Sequence, residues 1–192
     1  MQNPDFDKLQ KYQYIIYDFD KTIGEIQIDW EAWHDEITKI FQEFDPKFVR
    51  HGWVNKLQNA FFDRFGEPLR HQVVLKNAEY EISHYKGVIA NQPLIDFIKQ
   101  PKSAKQYILT ANGIETTLKA MKELDLPESC FEKIFSREDI FYIKPNPEGV
   151  LKIIGNHDPK DFVLVGDSSY DAGAALNAGI DFEKVSRFSE QY

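Results

Sequence analysis

Cysteine is all but missing from this chain of 192 residues: Cys130 stands alone, so no disulfide can form within it. That usage suits a reducing cytosol. Basic residues are in deficit, 23 against 31 acidic ones, and the resulting charge of −8 argues against a nucleic-acid surface. The same deficit gives an anionic ligand no long-range help, so any anion site must be locally positive. Long apolar runs are absent too. Nothing approaches a membrane-spanning length, and Met1 to Gln13 is polar, so the expectation is a cytoplasmic chain with no membrane partner. The 5 histidines, His34, His51, His71, His84 and His157, have no paired ligand spacing, and surface or core roles are expected of them.

What is present is enough apolar material for a sizeable core, 42% hydrophobic with 14% aromatic, at a length that suits one domain or one domain with an insert. The stretch that organises it is Tyr14-Ile15-Ile16-Tyr17-Asp18-Phe19-Asp20-Lys21-Thr22. Its short apolar run without helical period predicts a strand buried on both faces. Side chains alternate along a strand, so Asp18 and Asp20 emerge on one side of its C-terminal end, with Phe19 turned away. Two carboxylates that close repel by about 4 kcal/mol at ~4 Å in an effective dielectric near 20. A metal ion, a shared proton or a nearby cation must compensate.

Residues 23 to 28 alternate apolar and polar and predict a short extended flap bending at Gly24. Asp29 then caps a helix whose apolar face is Trp30, Trp33, Ile37, Ile40, Phe41 and Phe44, broken by Asp45-Pro46. A second helix runs from Trp53 to Phe65 and ends at Gly66, with more helical turns from about Leu69 to Tyr85. Residues 24–88 therefore read as a helical insert. From residue 89 on, helix and strand alternate. Helices are expected around Leu94–Ile98, Ile114–Leu126, Pro147–Ile154 (Asn146 as cap; Val150, Leu151 and Ile154 inward) and Tyr170–Ala178. Strands are expected at Gln106–Thr110, Phe131–Phe135, Phe162–Gly166 and Ile180–Val185. This rhythm predicts an α/β fold, a Rossmann-like parallel sheet flanked by helices, with ligands bound beyond the C-terminal strand ends.

Four polar clusters fall at those ends: Asp18-Phe19-Asp20-Lys21-Thr22; Thr110-Ala111-Asn112; Lys144-Pro145-Asn146-Pro147; and Gly166-Asp167-Ser168-Ser169-Tyr170-Asp171. Singly, each has a plain structural reading: a strand-end hydroxyl, a solvated lysine, an acidic first helical turn. In this order and on these elements they resemble the haloacid dehalogenase superfamily, whose members are mostly magnesium-dependent phosphatases. The resemblance covers residues 14–22 and about 89–185. It implies an α/β core at 1–23 and 89–192, and a small helical cap at 24–88, inserted after the first strand.

By that resemblance Asp18 is the nucleophile and forms an aspartyl phosphate, and Asp20 is the general acid and then the base. Thr110 and the backbone N–H groups of Ala111 and Asn112 hold the phosphoryl oxygens, and Lys144 neutralises both the phosphate and Asp18. A Mg²⁺ ion is held by Asp18, the backbone carbonyl of Asp20, and Asp167, with Asp171 acting through water. Relatives often carry glycine or another small residue where Lys21 stands, and the role of Lys21 is left open. Dehalogenating relatives typically lack the second aspartate, because a halide leaving group needs no proton, so Asp20 favours a phosphatase. The implied substrate is a small phosphorylated metabolite, and a monomer or weak homodimer is expected. Arg50, Arg64, Arg70 and His71 are available in the insert to read a second anionic group, and Trp30, Trp33 or Trp53 to line the cavity. A phosphosugar mutase on the same scaffold is the alternative, since it shares every core residue. A receiver-like domain and a non-catalytic phosphate-binding module are more distant ones.

Overall fold

The computed structural model describes residues 3–52, 54–186 and 188. One helical turn, α1 (Phe6–Leu9), leads into β1 (Tyr14–Tyr17). In chain order follow β2 (Gly24–Ile26), α2 (Trp30–Phe44), α3 (Asn55–His84), β3 (Val88–Ala90), α4 (Gln92–Lys99) and β4 (Lys105–Leu109). The chain continues through α5 (Ile114–Glu123), β5 (Lys133–Phe135), α6 (Glu148–Ile154), β6 (Phe162–Gly166), α7 (Ser169–Ala178) and β7 (Asp181–Lys184).

Five strands make one parallel sheet in the order β5-β4-β1-β6-β7. β1 is central, with Ile16 between Tyr107 of β4 and Leu164 of β6. Its alternating side chains feed two cores. Ile15 and Tyr17 pack with Leu94, Phe97 and Met121 beneath α4 and α5, while Ile16 packs with Val150, Ile154 and Ala174 beneath α6 and α7. This is the parallel, helix-flanked sheet that the apolar runs predict. The chain moves outward from β1 to β4 and β5, then returns to the other side of β1 for β6 and β7. The order reverses beside β1, so the C-terminal ends of β1, β4 and β6 stand together at the switch point, where such sheets bind ligands.

Between β2 and β3, α2 and α3 enclose a core of their own, including Trp33, Ile37, Phe41, Phe62, Leu69 and Val73. Asp29 caps α2, its Oδ1 accepting from Ala32 N at 3.1 Å. α3 is kinked at Gly66 (φ 68°, ψ −156°), two residues before Pro68. The two helices read from the sequence on either side of Gly66 are the two arms of that kink. β2 and β3 pair antiparallel, Glu25 opposite Ile89, so the flap has a partner that no local pattern announces.

Several expectations move. α5, expected to reach Leu126, ends at Glu123. α6 starts at Glu148, with Pro147 in the cap position, and Asn146 Oδ1 accepts from Glu148 N at 2.9 Å. Leu151, expected inward, is 49% exposed, because Val150, Ile153 and Ile154 form the buried stripe and residue 151 lies a hundred-degree step off it. Phe131 falls outside β5, which is only three residues long. Trp53 lies outside the described residues. Among the described residues no helix is long and apolar enough to cross a membrane.

Candidate active site

The apolar anchor of β1 fixes the residues at its C-terminal end. Asp18 N continues the ladder to β6 by donating to Val165 O at 2.9 Å, and Phe19 is fully buried between the two aspartates. Phe19 O then accepts from the N–H groups of Thr22, Ile23 and Gly24 at 3.2, 2.9 and 3.2 Å, which turns the chain sharply. Lys21 sits in that turn with φ 59°. The Asp20 carboxylate is held by Ile26 N, which donates to its Oδ1 at 2.8 Å.

Lys144 reaches this strand end from the segment before α6. Its Nζ donates to Asp18 Oδ1 at 2.6 Å, to Asp171 Oδ1 at 2.5 Å and to Leu109 O at 3.2 Å. Asp171 is held from the other side by α7, since Ser168 N and Ser168 Oγ donate to its Oδ2 at 3.1 and 2.5 Å in a capping box. The close approach needs glycine at the end of β6: a Cβ on Gly166 would lie 2.5 Å from Asp171 Cγ. Beyond β4, Thr110 Oγ1 donates to Asn112 Oδ1 at 2.9 Å and accepts from Asn112 N at 3.1 Å, closing a tight loop.

Candidate ligand oxygens of Asp18, Asp167 and Asp171 all lie within 4.8 Å of one another. Hard oxygen donors in small number, with room for water, are what Mg²⁺ takes, and these residues fit it. Both oxygens of Asp171 already accept hydrogen bonds, Oδ1 from Lys144 and Oδ2 from Ser168.

Burial dominates the electrostatics. It pushes the Asp18 carboxyl well up, against the pull of the Lys144 ammonium, and raises Asp20 to about 7 against its bond from Ile26 N. Asp167 rises to about 6, again by burial, with Asp171 adding to the effect. Burial works against the Lys144 charge, but Asp171 and Asp18 together outweigh it and hold the ammonium above its ordinary range. Burial thus disfavours the ionised forms of these carboxyls, and a bound cation would favour them.

One cavity of about 530 Å³ is lined by Asp18, Asp20, Ala111, Asn112, Lys144, Asp167 and Asp171. Thr110, the remaining residue singled out from the sequence, is buried beside it, bonded to Asn112. Trp30, Trp33 and His34 of α2 line the same space. The cationic residues of the insert do not. Arg50 pairs with Glu31 and Asp35, Arg64 with Asp45, Arg70 with Glu67 and with core carbonyls, and His71 is exposed. Lys21, Arg137 and Lys184 line the cavity instead. Arg137 and Glu81, both buried at the seam between α3 and the sheet, carry no signal in the sequence. Glu81 looks like any acidic residue on a helix, as exposed Glu79 does two positions earlier. Only the packing of α3 separates them.

The family model for haloacid dehalogenase-like hydrolases matches residues 15–185. Among solved structures, a protein assigned as a phosphoglycolate phosphatase from Lactobacillus plantarum is 18% identical with a TM-score of 0.60, covering 90% of this chain and 85% of that one. CbbY from Rhodobacter sphaeroides, solved in complex with phosphate, is 17% identical with a TM-score of 0.58, covering 89% and 84%. A hydrolase of the same superfamily from Bacillus subtilis, solved bound to magnesium, is 20% identical with a TM-score of 0.55, covering 90% and 87%. At such identities the likeness is one of fold. A comparison with curated proteins gives no match.

Proposed function

The chain belongs to the haloacid dehalogenase-like hydrolases, and on that premise we propose that it is a Mg²⁺-dependent phosphomonoester hydrolase acting on a small phosphometabolite. The observation that carries the reading is the single cavity in which Lys144 bridges Asp18 and Asp171, with Asp20, Asp167 and the Thr110–Asn112 loop around them. Phosphate bound to CbbY and magnesium bound to the Bacillus subtilis hydrolase lend support.

In the first step an oxygen of the Asp18 carboxylate attacks phosphorus and the bond from phosphorus to the leaving oxygen breaks. Asp20, two residues on, gives its proton to that leaving oxygen. In the second step water attacks the aspartyl phosphate, its proton returns to Asp20, and Asp18 and inorganic phosphate are released. Lys144 orients Asp18 and meets the incoming anion with local positive charge, set against a net charge of −8. Thr110 and the N–H groups of Ala111 and Asn112 receive the phosphoryl oxygens. Asp18, Asp167 and the backbone carbonyl of Asp20 would hold a Mg²⁺ ion, with Asp171 acting through water, and the ion would supply charge stabilisation at the phosphoryl group. Residues 24–88 act as the cap that covers the site, with the β2–β3 ribbon as their stem, and residues 1–23 and 89–192 as the catalytic core. The cavity volume, about 530 Å³, is of the size that small ligands occupy.

Release of inorganic phosphate from a panel of small phosphomonoesters tests this. Turnover is expected with Mg²⁺, and Asp18→Asn is expected to lower it by ~10⁴-fold or more while the protein stays folded. Label retained on the organic product, with no free phosphate, would point to a mutase. Full activity of Asp18→Asn would remove the nucleophile assignment.

A further inference from the structure

The seam where α3 meets the loop after β4 is built from buried polar groups. Glu81, fully buried on α3, accepts from Gly113 N at 2.8 Å on one carboxylate oxygen and from Asn112 Nδ2 at 3.1 Å on the other. Asn112 in turn holds Thr110 through the pair of bonds between its own amide groups and the Thr110 hydroxyl. On the other side of the loop, Arg137 Nε donates to Ala111 O at 2.6 Å, and Arg137 Nη1 donates to Gln58 Oε1, again from α3, at 2.7 Å. Residues 110–113 are thus held on one side by α3 directly and on the other by an arginine that α3 orients.

A buried carboxylate is a poor way to hold two elements together. An apolar contact of the same size does so as well or better, because the charge must be desolvated. Burial raises the Glu81 carboxyl above its ordinary range, and the nearby Arg137 charge only partly offsets this. Nor is Glu81 needed as a tie, since Arg70 of α3 already donates to the backbone oxygens of Arg137, Glu138 and Ile140. What distinguishes Glu81 is its target. Both its oxygens are spent on the loop that shares the cavity with Asp18 and Lys144.

We propose that Glu81 is a positioning residue of the insert: seated on Asn112 and Gly113, it fixes the loop 110–113 in the shape that receives the phosphoryl group. The insert then completes the phosphate site without touching phosphate. The inference rests on the phosphatase reading, which assigns that loop to the phosphoryl oxygens.

The test is the affinity of the full chain for inorganic phosphate in Mg²⁺ buffer, measured by titration calorimetry. Inorganic phosphate has no leaving group for Glu81 to contact, so the measurement reads the loop. Charge and geometry predict opposite signs. Glu81→Gln takes a negative charge out of a cavity that receives an anion, which by itself tightens phosphate binding. It also sets an amide N–H against a loop donor, which by loss of shape loosens it. The expected result is a loss of tenfold or more. Arg70→Met cuts only the seam bonds to the backbone oxygens of Arg137, Glu138 and Ile140, so it is expected to lower the melting temperature yet leave phosphate affinity within twofold. Glu81→Asp keeps the charge but is too short to reach both donors, is also expected to bind phosphate less tightly, and serves if Glu81→Gln does not fold. Phosphate affinity equal to or tighter than wild type in the Glu81 variants overturns the proposal, as does an equal loss in Arg70→Met. Absence of phosphate binding by the wild-type protein would instead remove the phosphatase reading, and this inference with it.

Discussion

Lys21 occupies the turn between the two aspartates and β2 with a left-handed backbone, φ 59°, fixed by the three bonds to Phe19 O and by its own N–H donating to Gly24 O at 2.9 Å. An L-residue with a side chain is strained there by roughly 1–2 kcal/mol, and glycine is not. Glycine fits this backbone without strain, and lysine does not. Lys21→Ala and Lys21→Gly both remove the ammonium, so comparing them isolates the backbone. The glycine variant is expected to be more stable by about 1 kcal/mol, some 2–4 °C in melting temperature for a chain of this size. Equal melting points would mean that the turn carries no such strain. At this scale the sequence is only half legible. Asp18, Asp20 and Asp167 stand out because each follows an apolar run that marks a strand end, and Lys144 only by its place in the set of four clusters, whereas Glu81 and Arg137 belong to no such cluster. Their role comes from the contact of α3 with a loop some thirty residues away, as the Glu81 to Gly113 bond spans 32 positions.

The element that most constrains the site is the junction of β6 and α7. Gly166 closes the strand, Asp167 follows, Ser168 caps the helix, and Asp171 in the first turn returns both to that cap and to Lys144. A methyl group at Gly166 would meet Asp171 Cβ and Cγ at 2.6 and 2.5 Å, too close for any rotamer change to relieve without moving the carboxylate. Gly166→Ala is expected to cost ~1–3 kcal/mol of stability, as overpacking does. It should also lower kcat at a temperature where the variant remains folded, because a displaced Asp171 releases its end of Lys144. Lost stability with unchanged kcat would show that the Asp171 contact is structural alone. The strands of this junction are readable in advance because β1 and β6 are continuous apolar runs, buried on both faces. The extended flap around Gly24 is readable from its alternation, but its pairing with β3 is not, since each strand has three residues and the partner lies beyond two helices. Leu151 fails for a related reason: an apolar residue one step off a buried stripe looks the same in sequence as one on it.

Across the whole molecule, the charge of −8 and the crowding of Asp18, Asp167 and Asp171 act in one direction. Lys144 offsets two of the three carboxylates at close range, through its contacts to Asp18 and Asp171. A divalent cation that binds the folded chain, and not the unfolded one, stabilises it by mass action, by ~2.7 kcal/mol at a hundredfold excess over its dissociation constant. For a chain of this size that corresponds to a rise of about 5–10 °C in melting temperature. Mg²⁺ is therefore expected to raise the melting temperature, EDTA to reverse the rise, and Asp167→Asn to abolish most of it, all without any substrate present. The measurement is independent of turnover, so it separates the metal site from the chemistry assigned to Asp18 and Asp20. A magnesium-induced shift of the same size in Asp167→Asn would place the ion elsewhere on this acidic surface, and the arrangement of carboxylates around Lys144 would then need another occupant.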